Sequence, residues 1–140
     1  MTVLGYFDGA NKGQPGPAGI GALIIKDGVM IWEKAEYIGL KTNNEAEYMA
    51  LLAVLKQAVY LGIKEITIRG DSLLVVNQVN RKWKCETPHL KPLLKQAWEY
   101  LAYIPRYKLK WIPRTQNTYA DALSKRGRIE LAPKEVGEFA

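Results

Sequence analysis

Cysteine and histidine are nearly absent from this chain of 140 residues: Cys85 and His89 each stand alone. A single cysteine excludes an intrachain disulfide, and one residue of each kind excludes a thiolate or Cys/His zinc cluster. Long apolar runs are missing as well. No stretch of about 18 apolar residues occurs, which excludes a membrane-spanning helix of ordinary length. The first residues enter a β-rich run directly, with no basic and apolar leader, so a cytoplasmic protein without membrane association is expected. Internal repeats, low-complexity segments and interdomain linkers are lacking. Negative charge is scarcer than positive: 14 Asp and Glu against 20 Lys and Arg give a net charge of +6 and a pI of about 9.4. That excess favours a polyanionic partner, nucleic acid before membrane. The length suits one domain with its own core, and 48% hydrophobic with 24% charged residues is ordinary for a globular chain.

What is present is a series of strands and helices punctuated by carboxylates. A β-rich run, Thr2–Phe7, ends on Asp8, and a Gly/Pro/Asn turn through Gly9, Gly13 and Gly16 follows at once. Ile20–Ile25 and Val29–Ile38 form a hairpin across Lys26-Asp27-Gly28, where Asp-Gly is the turn signal. The first three strands therefore form an antiparallel meander. After a loop at Gly39–Thr42, Asn43 or Asn44 caps a helix over Asn44–Leu61 that Gly62 ends. Glu47, Leu51, Val54, Ala58 and Leu61 share one stripe of this helix, so Glu47 lies at the top of the buried face, whereas Glu45 faces solvent. Ile63–Gly70 is a fourth strand, returned parallel to the first by a right-handed crossover. Asp71-Ser72 then opens a short helix. Asn80–His89, with Arg81-Lys82-Trp83-Lys84, is a helix end and connection; Leu90–Ile104 is an amphipathic helix closed by Pro105. Tyr107–Pro113 alternates as a fifth strand at or near an edge, and Arg114–Asn117 is a polar loop. Thr118–Arg126 is a last short helix stopped by Gly127, which makes residues 1–127 one domain and 128–140 a C-terminal tail without periodic pattern.

Taken singly, each carboxylate has an ordinary explanation. Asp8 can start an Asx turn, Asp71 can be an N-cap, and Glu47 suits the positive end of a helix dipole. His89, alone before a helix, reads as a surface residue. Taken together, they converge. Asp8 and Asp71 emerge at the carboxyl ends of adjacent parallel strands, where open α/β sheets place ligands. Glu47 comes down from the helix packed on that sheet, and Asp121, between Ala120 and Ala122, can join from the last helix. Four anions without cations repel, and the usual resolution is one or more hard divalent ions with oxygen ligands, Mg²⁺ being suited to carboxylates plus phosphate. Two such ions about 3.5–4 Å apart would serve phosphodiester cleavage.

Phe7-Asp8-Gly9-Ala10, Gln14-Pro15-Gly16-Pro17-Ala18-Gly19, Thr42-Asn43-Asn44-x-Ala46-Glu47-Tyr48, Gly70-Asp71-Ser72 and Asn117-x-x-Ala120-Asp121-Ala122-Leu123, in that order, resemble the type 1 ribonucleases H. The resemblance runs from about Val3 to Arg126. It implies an α/β, ribonuclease H-like fold: a five-stranded mixed sheet, strands 1, 4 and 5 parallel, flanked by helices. It implies an endoribonuclease that hydrolyses the RNA strand of RNA–DNA hybrids with two Mg²⁺ ions, Mn²⁺ being able to substitute, and leaves 5′-phosphate and 3′-hydroxyl ends. Asp8, Glu47, Asp71 and Asp121 would be the catalytic metal ligands. Gly9, Ala10, Asn11 and Asn43, with Glu47, would sense RNA 2′-hydroxyls; Thr42 would meet a DNA phosphate, and Gln14 and Ser72 would complete the substrate contacts. The partner implied is a hybrid, with double-stranded RNA also cut by some compact members, and the protein is expected to act as a monomer.

Three departures accompany the resemblance. Many members carry a histidine in the loop before the last Asp; Pro113–Asn117 has none, and Arg114 is the candidate to take over part of its role. The basic, Trp-rich protrusion of many bacterial members is reduced to Arg81-Lys82-Trp83-Lys84. Leu73 stands where many members have a polar residue that touches RNA. A non-catalytic hybrid- or duplex-RNA-binding module and a same-fold integrase or resolvase are the competing expectations.

Overall fold

The computed structural model describes residues 2–133. The order is β1 (Val3–Asn11), β2 (Gly16–Lys26), β3 (Val29–Lys41), α1 (Asn43–Tyr60), β4 (Glu65–Gly70), α2 (Leu73–Val79), α3 (Lys91–Leu101), β5 (Arg106–Trp111), a 3₁₀ turn (Arg114–Gln116) and α4 (Thr118–Ile129). One sheet runs β3-β2-β1-β4-β5. β1, β2 and β3 are antiparallel neighbours, and β1, β4 and β5 are parallel, as expected.

Alternation along each strand decides what each face of the sheet covers. Phe7, Ile20, Ala22, Ile24, Ile66, Ile68 and Leu109 point into the main core with Leu51, Val54 and Leu55 of α1 and with residues of α2 and α3. The opposite face of β1–β3 receives α4 through Leu23, Ala120 and Leu123. Both seams rely on glycine. A Cβ at Gly9 would lie 2.4 Å from the Ala46 carbonyl carbon of α1, and one at Gly21 would lie 2.2 Å from the Ala120 carbonyl oxygen of α4. The two helices thus approach the sheet at backbone contact.

Several boundaries differ from expectation. Asp8 is not the last residue of its strand: β1 continues to Asn11 because pairing with β2 runs on to Asn11–Ala18. Only the parallel pairing with β4 stops early, at Phe7–Gly70. β2 and β3 are longer than read, and β3 absorbs the expected loop up to Lys41. Thr42, rather than Asn43 or Asn44, caps α1: its hydroxyl accepts from Glu45 N–H while Glu45 accepts from Thr42 N–H, a reciprocal capping box. Glu45 is therefore half-buried and engaged, not simply solvated. Ser72, not Asp71, caps α2. β4 and α3 are shorter at their ends than expected. Gly127 does not stop α4. It lies within the helix, where a Cβ would meet the Glu36 backbone at 2.5 Å, and the helix continues to Ile129. The part of the expected tail from 134 to 140 lies outside the described residues.

Gly21→Ala should force α4 off the sheet, as overpacking a tight seam does. A loss of about 1–3 kcal/mol is expected from urea unfolding; an unchanged midpoint means that the seam tolerates a methyl group.

Candidate active site

Asp8 reaches the site because β1 outruns β4. Past Phe7–Gly70, the Gly9 N–H is taken by Glu47 Oε1 at 2.8 Å. That bond ties the first turn of α1 to β1 and places Glu47 beside Asp8. Asp71 follows β4 directly. One oxygen from each of Asp8, Glu47 and Asp71 falls within 4.8 Å of the others. Asp8 and Glu47 are only 4% and 6% exposed, so their charges are largely removed from water.

The electrostatics follow from that burial. Desolvation first, and then Asp71 and Asp121, push the Asp8 carboxyl up to about 8, although a hydrogen bond from Ser124 opposes the shift. Glu47 is raised well above the carboxylate range by desolvation and by Asp8 and Asp71, against the pull of the Gly9 N–H.

Asp121 occupies a different position. It lies on the wall of the same cleft, a hollow of about 490 Å³, but outside the three-carboxylate cluster. Lys125 Nζ stands 2.9 Å from Asp121 Oδ2 one turn along α4, and Arg114 Nη2 stands 3.5 Å from Oδ1. The opposite wall carries Gly9, Ala10, Asn11 and Asn43. Three other expected contacts are spent locally. Gln14 Oε1 accepts from Asn43 N–H at 3.0 Å, Thr42 caps α1, and Ser72 accepts from Val75 N–H; none of the three lines the cleft. His89 is exposed and also lies outside it.

Other residues at the site escaped sequence reasoning. Ser124 is fully buried; its Oγ lies 2.6 Å from Asp8 Oδ2 and 2.8 Å from the Asp121 carbonyl oxygen. Asn117 Nδ2 donates to the Phe7 carbonyl at 2.9 Å, which pins the start of α4 to β1 just before Asp8. Trp111, Lys125 and Arg128 also line the cleft, and Trp111 donates its indole N–H to the Asp71 carbonyl at 3.2 Å. Ser124 and Lys125, three and four residues after Asp121, share its face of the helix, a spacing visible in the sequence. Arg128, expected in a patternless tail beyond Gly127, belongs instead to α4.

Fold and site together define a ribonuclease H-like α/β domain with a buried carboxylate cleft at the carboxyl ends of β1 and β4. The profile of the reverse transcriptase-like family matches residues 6–127. The ribonuclease HI of Halobacterium salinarum is 41% identical over 123 residues, 87% of this chain and 62% of that protein. A crystal structure of the RNase H1 from that archaeon superimposes with a TM-score of 0.87 at 39% identity, covering 91% of this chain and 97% of that one. LC11-RNase H1, solved in complex with an RNA/DNA hybrid, gives 0.87 at 34%, covering 92% and 98%. A bifunctional protein of Mycobacterium tuberculosis is 41% identical over 126 residues, 89% of this chain but 35% of its own length. The chain thus spans about a third of that mycobacterial relative. It belongs to the ribonuclease H family.

A carboxyl with a raised folded-state pKa keeps a proton that the unfolded chain has released. Stability should therefore fall as pH rises from about 4 towards about 8. In EDTA, the melting temperature should drop between pH 5 and pH 8 by at least about 3 °C, the shift that 1 kcal/mol gives a domain of this size. Mg²⁺ should raise it more at pH 8 than at pH 5, and Asp8→Asn should flatten the profile. A wild-type profile identical to that of Asp8→Asn removes Asp8 as the source.

Proposed function

We propose that this chain is a metal-dependent endoribonuclease that cuts the RNA strand of RNA–DNA hybrids as a monomer. The observation that carries the proposal is the convergence of buried Asp8 and Glu47 with half-buried Asp71, with oxygens within 4.8 Å and no cation among the described residues paired to them. A pure binding module gains nothing from such a cluster beside a phosphate backbone. The donor set fits Mg²⁺: all oxygens, all acidic, partly desolvated. Asp8, Glu47 and Asp71, with Asp121, would hold two ions, Mn²⁺ being able to substitute. When bound, they supply an activated water and charge stabilisation on the leaving oxygen, which gives a 5′-phosphate and a 3′-hydroxyl.

The chain's own groups have separate tasks. The Gly9 N–H fixes one oxygen of Glu47 and leaves the other for a cation or a 2′-hydroxyl. Ser124 and Asn117 hold Asp8 and its strand in place. Ala10, Asn11 and Asn43 offer polar and backbone groups along the wall where 2′-hydroxyls would lie, the feature by which a protein tells RNA from DNA. Gln14 and Thr42 support that wall from behind, accepting from the Asn43 and Glu45 N–H groups, while Ser72 caps α2 beside Asp71. Arg114 stands at the mouth. A guanidinium keeps its charge throughout the working pH range, so Arg114 cannot shuttle a proton as an imidazole would. Its role is to attract the phosphate and to help release the product.

A labelled hybrid, a matched RNA duplex and a DNA duplex, each with Mg²⁺ or EDTA, test the proposal. Metal-dependent cutting of the hybrid is expected; binding without cutting, or cutting of DNA alone, overturns it. Asp71→Asn should lower cutting more than about a hundredfold, beyond the range for a group that merely orients a ligand, while the fold persists. Arg114→Ala should slow turnover about tenfold or more with an unchanged pH profile. An altered profile would overturn the assignment of Arg114 to phosphate attraction alone.

A further inference from the structure

α4 covers β1, β2 and β3 but leaves the same face of β4 and β5 open among the described residues. That open face is cationic. In parallel register, Arg69 pairs with Lys110, Thr67 with Lys108 and Glu65 with Arg106. Alternation sends all six side chains to the side opposite Ile66, Ile68 and Leu109. Four cations therefore share the face with one carboxylate, and only Arg106 has it as a partner, at 3.6 Å. Arg69, Lys108 and Lys110 have no carboxylate partner among the described residues. Arg69 and Lys110, directly opposite across the two strands, repel, which costs stability unless an anion lies over them.

Protection of an edge strand accounts for Lys108 and Lys110, because lysine is a common guard against edge-to-edge pairing. It does not account for Arg69, which sits on the inner strand. Nor does it account for the hollow of about 350 Å³ at the top of this face. Tyr6, Arg69, Lys110, Trp111 and Gln116 line that hollow. Arg69 Nη1 donates to Tyr6 Oη at 2.8 Å, which holds the guanidinium beside the aromatic ring. Trp111 lines both this hollow and the catalytic cleft, so the two adjoin across that residue. A cationic strip with aromatic rings at one end suits a single nucleic-acid strand, whose phosphates meet the ammonium groups and whose bases can stack.

We propose that the open face of β4 and β5, with the Tyr6–Arg69–Lys110–Trp111 hollow, is a second nucleic-acid contact surface that takes a single strand running on beyond the hybrid held in the cleft. The choice of strand rests on the nuclease function proposed above; the surface itself rests on its charge and on adjoining the cleft at Trp111.

The test uses Lys108→Glu/Lys110→Glu, both exposed side chains outside the cleft, and Lys108→Ala/Lys110→Ala as a milder pair. Fluorescence anisotropy in EDTA compares a short blunt hybrid with the same hybrid carrying a long single-stranded extension. The wild type should bind the extended substrate more tightly. The Glu pair should lose about tenfold of that affinity, with the slope of log K against log salt falling by about 1.4, at 0.7 per single-strand contact. The Ala pair removes the same two contacts, so its slope should fall by about the same 1.4, with a smaller loss of affinity because no repelling charge is added. Both should cut the short blunt hybrid at the wild-type rate. Equal affinity and salt slope for the extended substrate in wild type and both variants overturns the surface. So does a wild type that prefers anionic phospholipid vesicles to the extended strand. A wild type that cuts no hybrid, with variants that still lose the extended strand, removes the nuclease function and leaves the surface standing.

Discussion

Two carboxylates buried side by side set the terms for the rest of this structure. Asp8 and Glu47 are removed from water together, and neither is given a cation among the described residues. In a fold stabilised by only about 0.1 kcal/mol per residue, such a pair is a substantial liability. The protein offsets part of it with hydrogen bonds that favour the ionised forms, from Gly9 N–H and Ser124 Oγ. The remainder raises both pKa values, so the pair holds protons until the repulsion between its ionised forms is relieved. A divalent ion relieves repulsion of that kind, so the instability and the proposed chemistry have one origin.

Convergence of these groups depends on how closely two helices can approach the sheet. Side chains as short as Asp and Glu cannot span an ordinary interface between a helix and a sheet. Gly9 and Ala46 remove the bulk between β1 and α1; Gly21 and Ala120 do the same between β2 and α4. Each seam brings one helix to backbone contact, and each carries one acid, Glu47 or Asp121, to the carboxyl ends of the strands. The Asn117 bond to the Phe7 carbonyl then sets where α4 begins. Glycine is the only residue that allows both approaches without strain, which is why the motif residues around the acids are small.

Much of this was legible in the order of residues. Alternation and helical periodicity gave the five strands, the long helix and the buried position of Glu47, because those patterns follow from burial alone. Element ends were less legible, since they depend on partners. β1 extends past Asp8 because β2 continues beside it, and no local signal in Asp8-Gly9-Ala10-Asn11 records that. Gly127 reads as a helix stop by propensity, yet it is there to let α4 lie against the Glu36 backbone. Tertiary contact overrode propensity at that point, and Arg128 was misplaced in consequence. Ser124 was missed for a related reason: a serine in a helix is ordinary until the sheet beneath it supplies a carboxylate.

The cleft is asymmetric, and the asymmetry bears on how it would work. Asp8, Glu47 and Asp71 form a tight half that no cation compensates among the described residues. Asp121 forms a looser half, a fifth exposed and already neutralised by Lys125 and Arg114. A cation entering the tight half would meet only carboxylates that repel one another, and would be held by them. A cation approaching Asp121 must compete with an ammonium group and a guanidinium. Surface ion pairs are weak, about 0–1 kcal/mol, so that competition is readily lost by the side chains. Once displaced, Lys125 and Arg114 are left at the mouth of the cleft with their charges free. The phosphate of an incoming strand would arrive there, and the two cations that had guarded Asp121 would then face it.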